Sequence, residues 1–210
     1  MGINGVNRFP LPPLTVGVMG SAGGKLHEHV REKVRQLGRE IARRRYVLIT
    51  GAAPGLPHDA VLGAKEEGGL VIGISPALNL DEHVNKYHSP TRGYDAIVYT
   101  GSGLMGREIE NIRSCDVVVF AGGRSGSLGE FAIAYDEGKV IGALSGTGGI
   151  TDRLNEIVQM VNKKTAAYVC HNSDPVELLD ELEEVYNTRI LPDYLETIKG
   201  HDPDGRPDPD

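Results

Sequence analysis

Two ionisable residues and one run of small residues are where this chain could do chemistry. Glu130 closes the segment Gly122-Gly123-Arg124-Ser125-Gly126-Ser127-Leu128-Gly129-Glu130, and Arg107 stands 23 positions before it. The segment follows the apolar run Val117-Val118-Val119-Phe120, which reads as a strand buried on both faces, and it leads into an apolar-periodic helix. Glycine at such a turn tolerates positive φ and lets backbone N–H groups come close to a bound anion. A helix beginning near Ser127 would aim its unsatisfied N–H groups and the positive end of its dipole at that anion. Glu130 is expected in the first turn, where a carboxylate either complements the dipole or faces the cleft beside a scissile bond of the ligand. Arg107 is also expected in a first turn, where a cation is disfavoured by a few tenths to about 1 kcal/mol. A ligand phosphate or the Glu130 carboxylate would offset that cost; a plain surface arginine is the alternative.

These residues must be positioned by a sheet. Leu14 to Gly20 reads as a first strand ending in Gly20-Ser21-Ala22-Gly23-Gly24, and Tyr46 to Thr50 as a second ending in Gly51-Ala52-Ala53-Pro54-Gly55. Gly20, Ser21, Gly51 and Gly55 are therefore candidates to hold a phosphate or a ribose, beside Gly122, Gly123, Arg124, Ser125, Gly126 and Ser127. Further strands are expected at Leu70 to Ser75, Ala96 to Tyr99, Lys139 to Leu144 and Ala167 to Cys170. Helices fall between them: Leu26 to Ile41, Leu56 to Glu67, one with Met105, Ile109 and Ile112 inward, Leu128 to Glu137, one carrying Ile150 to Val161, and a last one capped by Ser173. This alternation predicts an α/β, Rossmann-like doubly wound parallel sheet of about six to seven strands with helices on both faces. In such sheets ligands bind outside the carboxyl ends of the strands where the strand order reverses, so Arg107 and Glu130 should converge on one cleft. The aperiodic stretch Pro76 to Tyr94 reads as a lid or part of the pocket.

Bulk composition narrows the classes. With 210 residues, 40% hydrophobic and 24% charged, the chain suits one domain, here 14–188, with an N-terminal extension 1–13 and a C-terminal extension 189–210 whose acidic tail starts at about 200. No signal peptide and no apolar run of membrane-spanning length is seen, so a cytoplasmic protein is expected. Cys115 and Cys170 read as two buried thiols. A formal net charge of −7 argues against nucleic-acid binding. The basic residues from Arg31 to Arg45 read as a solvated helix face or a partner surface. His27 and His29, two apart, do not share a helix face, so no metal site is expected.

Arg107 followed by Glu130 within the glycine-rich segment resembles the Lonely guy family, once labelled lysine decarboxylases, whose pattern is an Arg-Lys pair and then P-G-G-x-G-T-x-x-E. The likeness runs over most of Leu14 to Tyr186 and includes the G-x-x-P-G-L turn at Gly51 to Leu56 and the G-G-x-V-I-G-I-x-P stretch at Gly68 to Pro76. Here the family's proline is Gly122, its second glycine Arg124, its threonine Ser127 and its lysine Glu108, changes that resemble the looser branch near molybdenum-cofactor carrier proteins. The resemblance implies a homodimer that hydrolyses the N-glycosidic bond of nucleoside 5′-monophosphates, with Glu130 as catalytic carboxylate, Arg107 as catalytic arginine, phosphate on Gly126 and Ser127, and no cofactor. Its alternative is binding or carriage of a phosphorylated nucleotide-like ligand, such as molybdenum cofactor, without hydrolysis.

Overall fold

The computed structural model describes residues 10–205. These residues build seven strands, β1 (Thr15–Gly20), β2 (Val47–Thr50), β3 (Leu70–Ser75), β4 (Ala96–Tyr99), β5 (Val117–Ala121), β6 (Val140–Leu144) and β7 (Tyr168–Asn172), all parallel, in the order β4-β3-β2-β1-β5-β6-β7. The helices are α1 (Glu28–Arg43), α2 (Leu56–Glu66), α3 (Gly103–Arg113), α4 (Ser125–Asp136), α5 (Leu154–Val161), α6 (Pro175–Val185) and α7 (Leu191–Thr197). This is the doubly wound α/β sheet that the alternation predicts. Strand order runs outward from β1 in one direction and resumes beyond it at β5, so the switch point lies between β1 and β5.

Alternate residues of the central strands feed two cores. Val16, Val18, Val117 and Val119 pack with α1, α2 and α6 on one face; Met19, Val118 and Phe120 pack with Ile112, Phe131, Ala134 and Leu154 on the other. A strand buried on both faces needs apolar side chains at every position, which is why these segments are unbroken Val, Ile and Phe rather than alternating. On the first face α1 and α2 approach until Gly38 meets the backbone at Ala60 and Gly63 the backbone at Arg35. Basic residues of α1 serve this packing: Arg31 and Arg35 both reach Asp59, which is 1% exposed, and Arg39 pairs with Glu32 and Glu66, while Arg44, just past the helix end, pairs with Glu40, Asp180 and Glu183.

Several local expectations need correction. Met105 and Ile109 are exposed and only Ile112 of that trio is buried, because α3 turns Arg107, Glu108 and Asn111 inward instead. Cys170 lies mid-strand and half-buried rather than buried at a strand end; Cys115 is fully buried and both thiols are free. The cap of α6 is Asp174, which accepts hydrogen bonds from the N–H groups of Val176 (2.8 Å) and Glu177 (3.2 Å), not Ser173. The stretch Pro76 to Tyr94, expected as a lid or part of the pocket, is anchored by the fully buried His83, whose ring bonds Ser75 Oγ at 2.8 Å and the Pro90 carbonyl at 3.0 Å, and none of its residues lines the cleft described below. The 189–210 extension carries the helix α7; the tail beyond residue 205, like the first nine residues, lies outside the described part. No described helix is long and apolar enough to cross a membrane.

Candidate functional site

The carboxyl ends of β1 and β5 and the starts of α3 and α4 enclose a cleft of about 300 Å³ lined by Met19, Gly20, Ser21, Gly51, Arg107, Glu108, Arg124 to Ser127 and Glu130, among others. Backbone packing sets its floor. Gly20 pairs with Ala121, whose carbonyl leaves no room for a side chain at Gly20. Ser21 ties the neighbouring turns together: its Oγ accepts from the Gly123 N–H at 2.7 Å and its carbonyl from the Leu56 N–H at 2.9 Å.

The glycine-rich turn divides into two parts with different roles. Gly122 (φ 65°) and Gly123 (φ 95°) take up the positive φ that the sharp exit from β5 demands. Their N–H groups are spent on Thr147 Oγ1 (2.8 Å) and Ser21 Oγ (2.7 Å), and neither glycine lines the cleft, so they shape the turn instead of presenting amides to a ligand. Gly55 likewise packs against Ser21 and Ala22 outside the cleft lining. Helix α4 begins at Ser125, two residues earlier than expected, and its first N–H groups, at Ser125, Gly126 and Ser127, open into the cleft with no side chain capping them. Glu130 is consequently in the second turn of α4, and Arg107 in the second turn of α3, so neither charge sits on its own helix end.

What holds Arg107 in place is therefore not a helix dipole but a buried polar cluster. Arg107 Nη1 lies 3.4 Å from Glu130 Oε1, and Asn111 Nδ2 donates to the same oxygen at 3.3 Å while also contacting Met19 Sδ at 2.9 Å. The guanidinium packs on the backbone of Gly51, where any side chain would occupy its place. Glu130 is 7% exposed, and burial, only partly opposed by Arg107 and Asn111 and reinforced by the nearby Glu108, raises its carboxyl to about 7. Glu108 is also raised by burial, again against the pull of Arg107. Two polar atoms of the cluster, Arg107 Nε and Asn111 Oδ1, are buried without a partner among the described residues. A carboxyl poised near neutrality in a cleft, beside an arginine and open helix N–H groups, is equipped for proton transfer next to a bound anion.

Of the expected site residues, the fold brings Gly20, Ser21, Gly51, Arg107, Arg124, Ser125, Gly126, Ser127 and Glu130 to one cleft and leaves Gly55, Gly122 and Gly123 behind it. Glu108, which lines the cleft, and Asn111, which is fully buried and donates to Glu130, were missed. Asn111 follows Arg107 by four positions, the spacing that puts two side chains on one helix face, and that signal was available.

Comparison with known proteins adds a family and a set of relatives. The family described as LDcluster4, SLOG cluster4 family, matches residues 13–179. An uncharacterized protein of Archaeoglobus fulgidus is 30% identical over 131 residues, covering 62% of this chain and 80% of its own. The crystal structure of TM1055, a structural-genomics target, superposes with a TM-score of 0.70 at 28% identity, over 81% of this chain and 98% of the other. The molybdenum cofactor binding protein of the phototrophic bacterium Rippkaea orientalis superposes with a TM-score of 0.69 at 29% identity, over 85% of this chain and all (100%) of the other.

Proposed function

The chain belongs to the SLOG cluster4 family, on the looser Lonely guy-like branch, and on that premise we propose that its cleft binds a nucleoside 5′-monophosphate and hydrolyses the N-glycosidic bond to free base and ribose 5-phosphate. The observation that carries this reading is Glu130, a carboxyl brought to about 7 and held by Arg107 and Asn111 inside the cleft, beside the open end of α4. In this reading the phosphate sits on the N–H groups of Ser125, Gly126 and Ser127 with Arg124 at the rim, and Gly20, Ser21 and Gly51 floor the pocket. The C1′–N bond breaks with its electron pair leaving on the base, which takes up a proton from solvent as it departs. Ionised Glu130 stabilises the ribosyl cation and takes the proton of the water that adds to C1′. Binding energy from the phosphate holds the sugar in register for this step. Because the active form of Glu130 is ionised, the rate should rise as pH passes through about 7 and then level off. Incubation with AMP and the other 5′-monophosphates, with chromatography for free base, tests the reading; no base from any of them would overturn it.

A second reading is favoured by the likeness to the Rippkaea orientalis protein: the same cleft binds a phosphorylated nucleotide-like ligand and leaves its bonds intact. It predicts saturable binding with no base released.

Self-association belongs to the same proposal. Leu104, Met105 and Ile109 of α3 and Leu128 of α4 are exposed apolar residues on neighbouring helices, whereas Ile112, Phe131 and Ala134 of the same helices lie in the core. A second copy of the chain would cover the exposed set. Light scattering at micromolar concentration should give the mass of a dimer, and Met105→Glu should shift it toward monomer; a wild-type monomer would count against the pairing.

A further inference from the structure

Glu108 takes no part in the chemistry above, yet it is 8% exposed, lines the cleft, and its carboxylate has no hydrogen bond or ion pair among the described residues. Its oxygens border the cleft, where a carboxylate without a protein partner is free to accept hydrogen bonds from a ligand. A Cβ on Gly126 would stand 3.3 Å from Glu108 Oε1, and one on Gly129 3.0 Å from Oε2, so both glycines, one turn apart on α4, form a seat for this carboxylate. A glycine inside a helix is destabilising relative to alanine, and at Gly129 no turn requires it. The carboxylate thus lies against the first turns of α4, next to the N–H groups that open into the cleft, with its lone pairs available to whatever occupies the space.

We propose that Glu108 binds the ligand by accepting hydrogen bonds from the cis-diol of a ribose, so that the cleft selects ribose 5-phosphates over their deoxy counterparts. This rests on the nucleotide reading and deepens it. A carboxylate accepts and cannot donate, so its match is a pair of donors; two adjacent hydroxyls present that pair. With the phosphate on the Gly126 end of α4 as proposed above, Glu108 stands beside that end, and the sugar, the group bonded next to the phosphate, offers its hydroxyls as the donors. A phosphate on Glu108 itself is disfavoured by like charge.

Isothermal titration of the wild type, Glu108→Ala and Glu108→Gln with ribose 5-phosphate, 2-deoxyribose 5-phosphate and inorganic phosphate separates the possibilities without any bond being cleaved. The wild type should prefer ribose 5-phosphate to the deoxy sugar by about tenfold or more, the value of a hydrogen bond to a charged group. Glu108→Ala should erase that preference by weakening ribose 5-phosphate alone, leaving the deoxy sugar and inorganic phosphate within about threefold. Glu108→Gln fills the same seat and keeps one acceptor, so it should lose part of the preference, and it carries the test if the alanine variant does not fold. Equal loss for both sugars, or no change, overturns the inference, and so does a gain for all three probes, which would mean that Glu108 merely repels phosphate. A wild type that binds none of the three overturns the nucleotide reading itself; one that binds all three without preference overturns only the role of Glu108.

Discussion

Glu130→Gln is expected to lower kcat for base release at least about 100-fold while nucleotide affinity changes by less than about threefold. Glutamine keeps the shape and can still accept from Arg107 and Asn111, but it supplies no charge to a ribosyl cation and takes no proton from water. The same variant should be the more stable protein at alkaline pH. The Glu130 carboxyl is raised from 4.5 to about 7, so the folded chain keeps a proton over a range in which the unfolded chain has lost it. That contribution to stability is fully present below about 4.5 and is lost as pH climbs to about 7, a difference of roughly 3 kcal/mol above that range. Glutamine stays neutral throughout. Calorimetry should therefore find the variant melting several degrees above wild type at pH 8 and level with it near pH 4. Base release at wild-type rates from the glutamine variant would remove Glu130 from the mechanism, and equal melting temperatures at pH 8 would show that its carboxylate bears no burial cost.

Arg107→Ala should depress kcat/KM by about 100-fold or more, with both affinity and turnover affected. The guanidinium is the cation that favours the ionised form of Glu130, and without it burial and Glu108 act on that carboxyl unopposed save by Asn111. Glu130 would then hold its proton to higher pH, so the surviving activity should rise only at a pH above the wild-type limb. Gly51→Ala reaches the same end by another route. Its added methyl group would take the space of the guanidinium and displace the charge without deleting it, so activity should fall in parallel and the limb should move the same way. Because both changes act through one group, the double variant should be little worse than Arg107→Ala alone. Full additivity would mean that Gly51 serves the ligand directly, and an unmoved pH limb in Arg107→Ala would mean that the arginine does not govern Glu130.

What was legible in the chain and what was not follow from the range of the forces involved. The buried strands could be read because a parallel strand covered on both faces must be apolar at every position, as Val117 to Phe120 are. The ends of those strands could be read because chain reversal into a helix needs the backbone of glycine, and that placed Arg107 and Glu130 at one end of the sheet. These are local requirements, and local sequence answers them. Which side chains the site finally uses is a matter of rotation and contact. Helix α3 carries two candidate faces, one with Met105 and Ile109 and one with Arg107, Glu108 and Asn111, and periodicity cannot tell which is buried. The polar face turns inward because Glu130 lies across from it on α4 and Gly51 leaves room for the guanidinium, partners 23 and 56 positions away in the chain. For the same reason the glycine-rich turn could be located but its N–H groups could not be assigned: Gly122 and Gly123 spend theirs on Thr147 and Ser21, residues from other strands' turns, and only Ser125 to Ser127 keep theirs for the cleft. The sequence by itself thus determined the sheet, its glycine exits and the two charged residues set beside them. The tertiary structure alone decided that Glu130 is buried deeply enough to titrate near neutrality and that Glu108 lines the cleft, because desolvation and hydrogen-bond partnership depend on what the rest of the chain brings into contact.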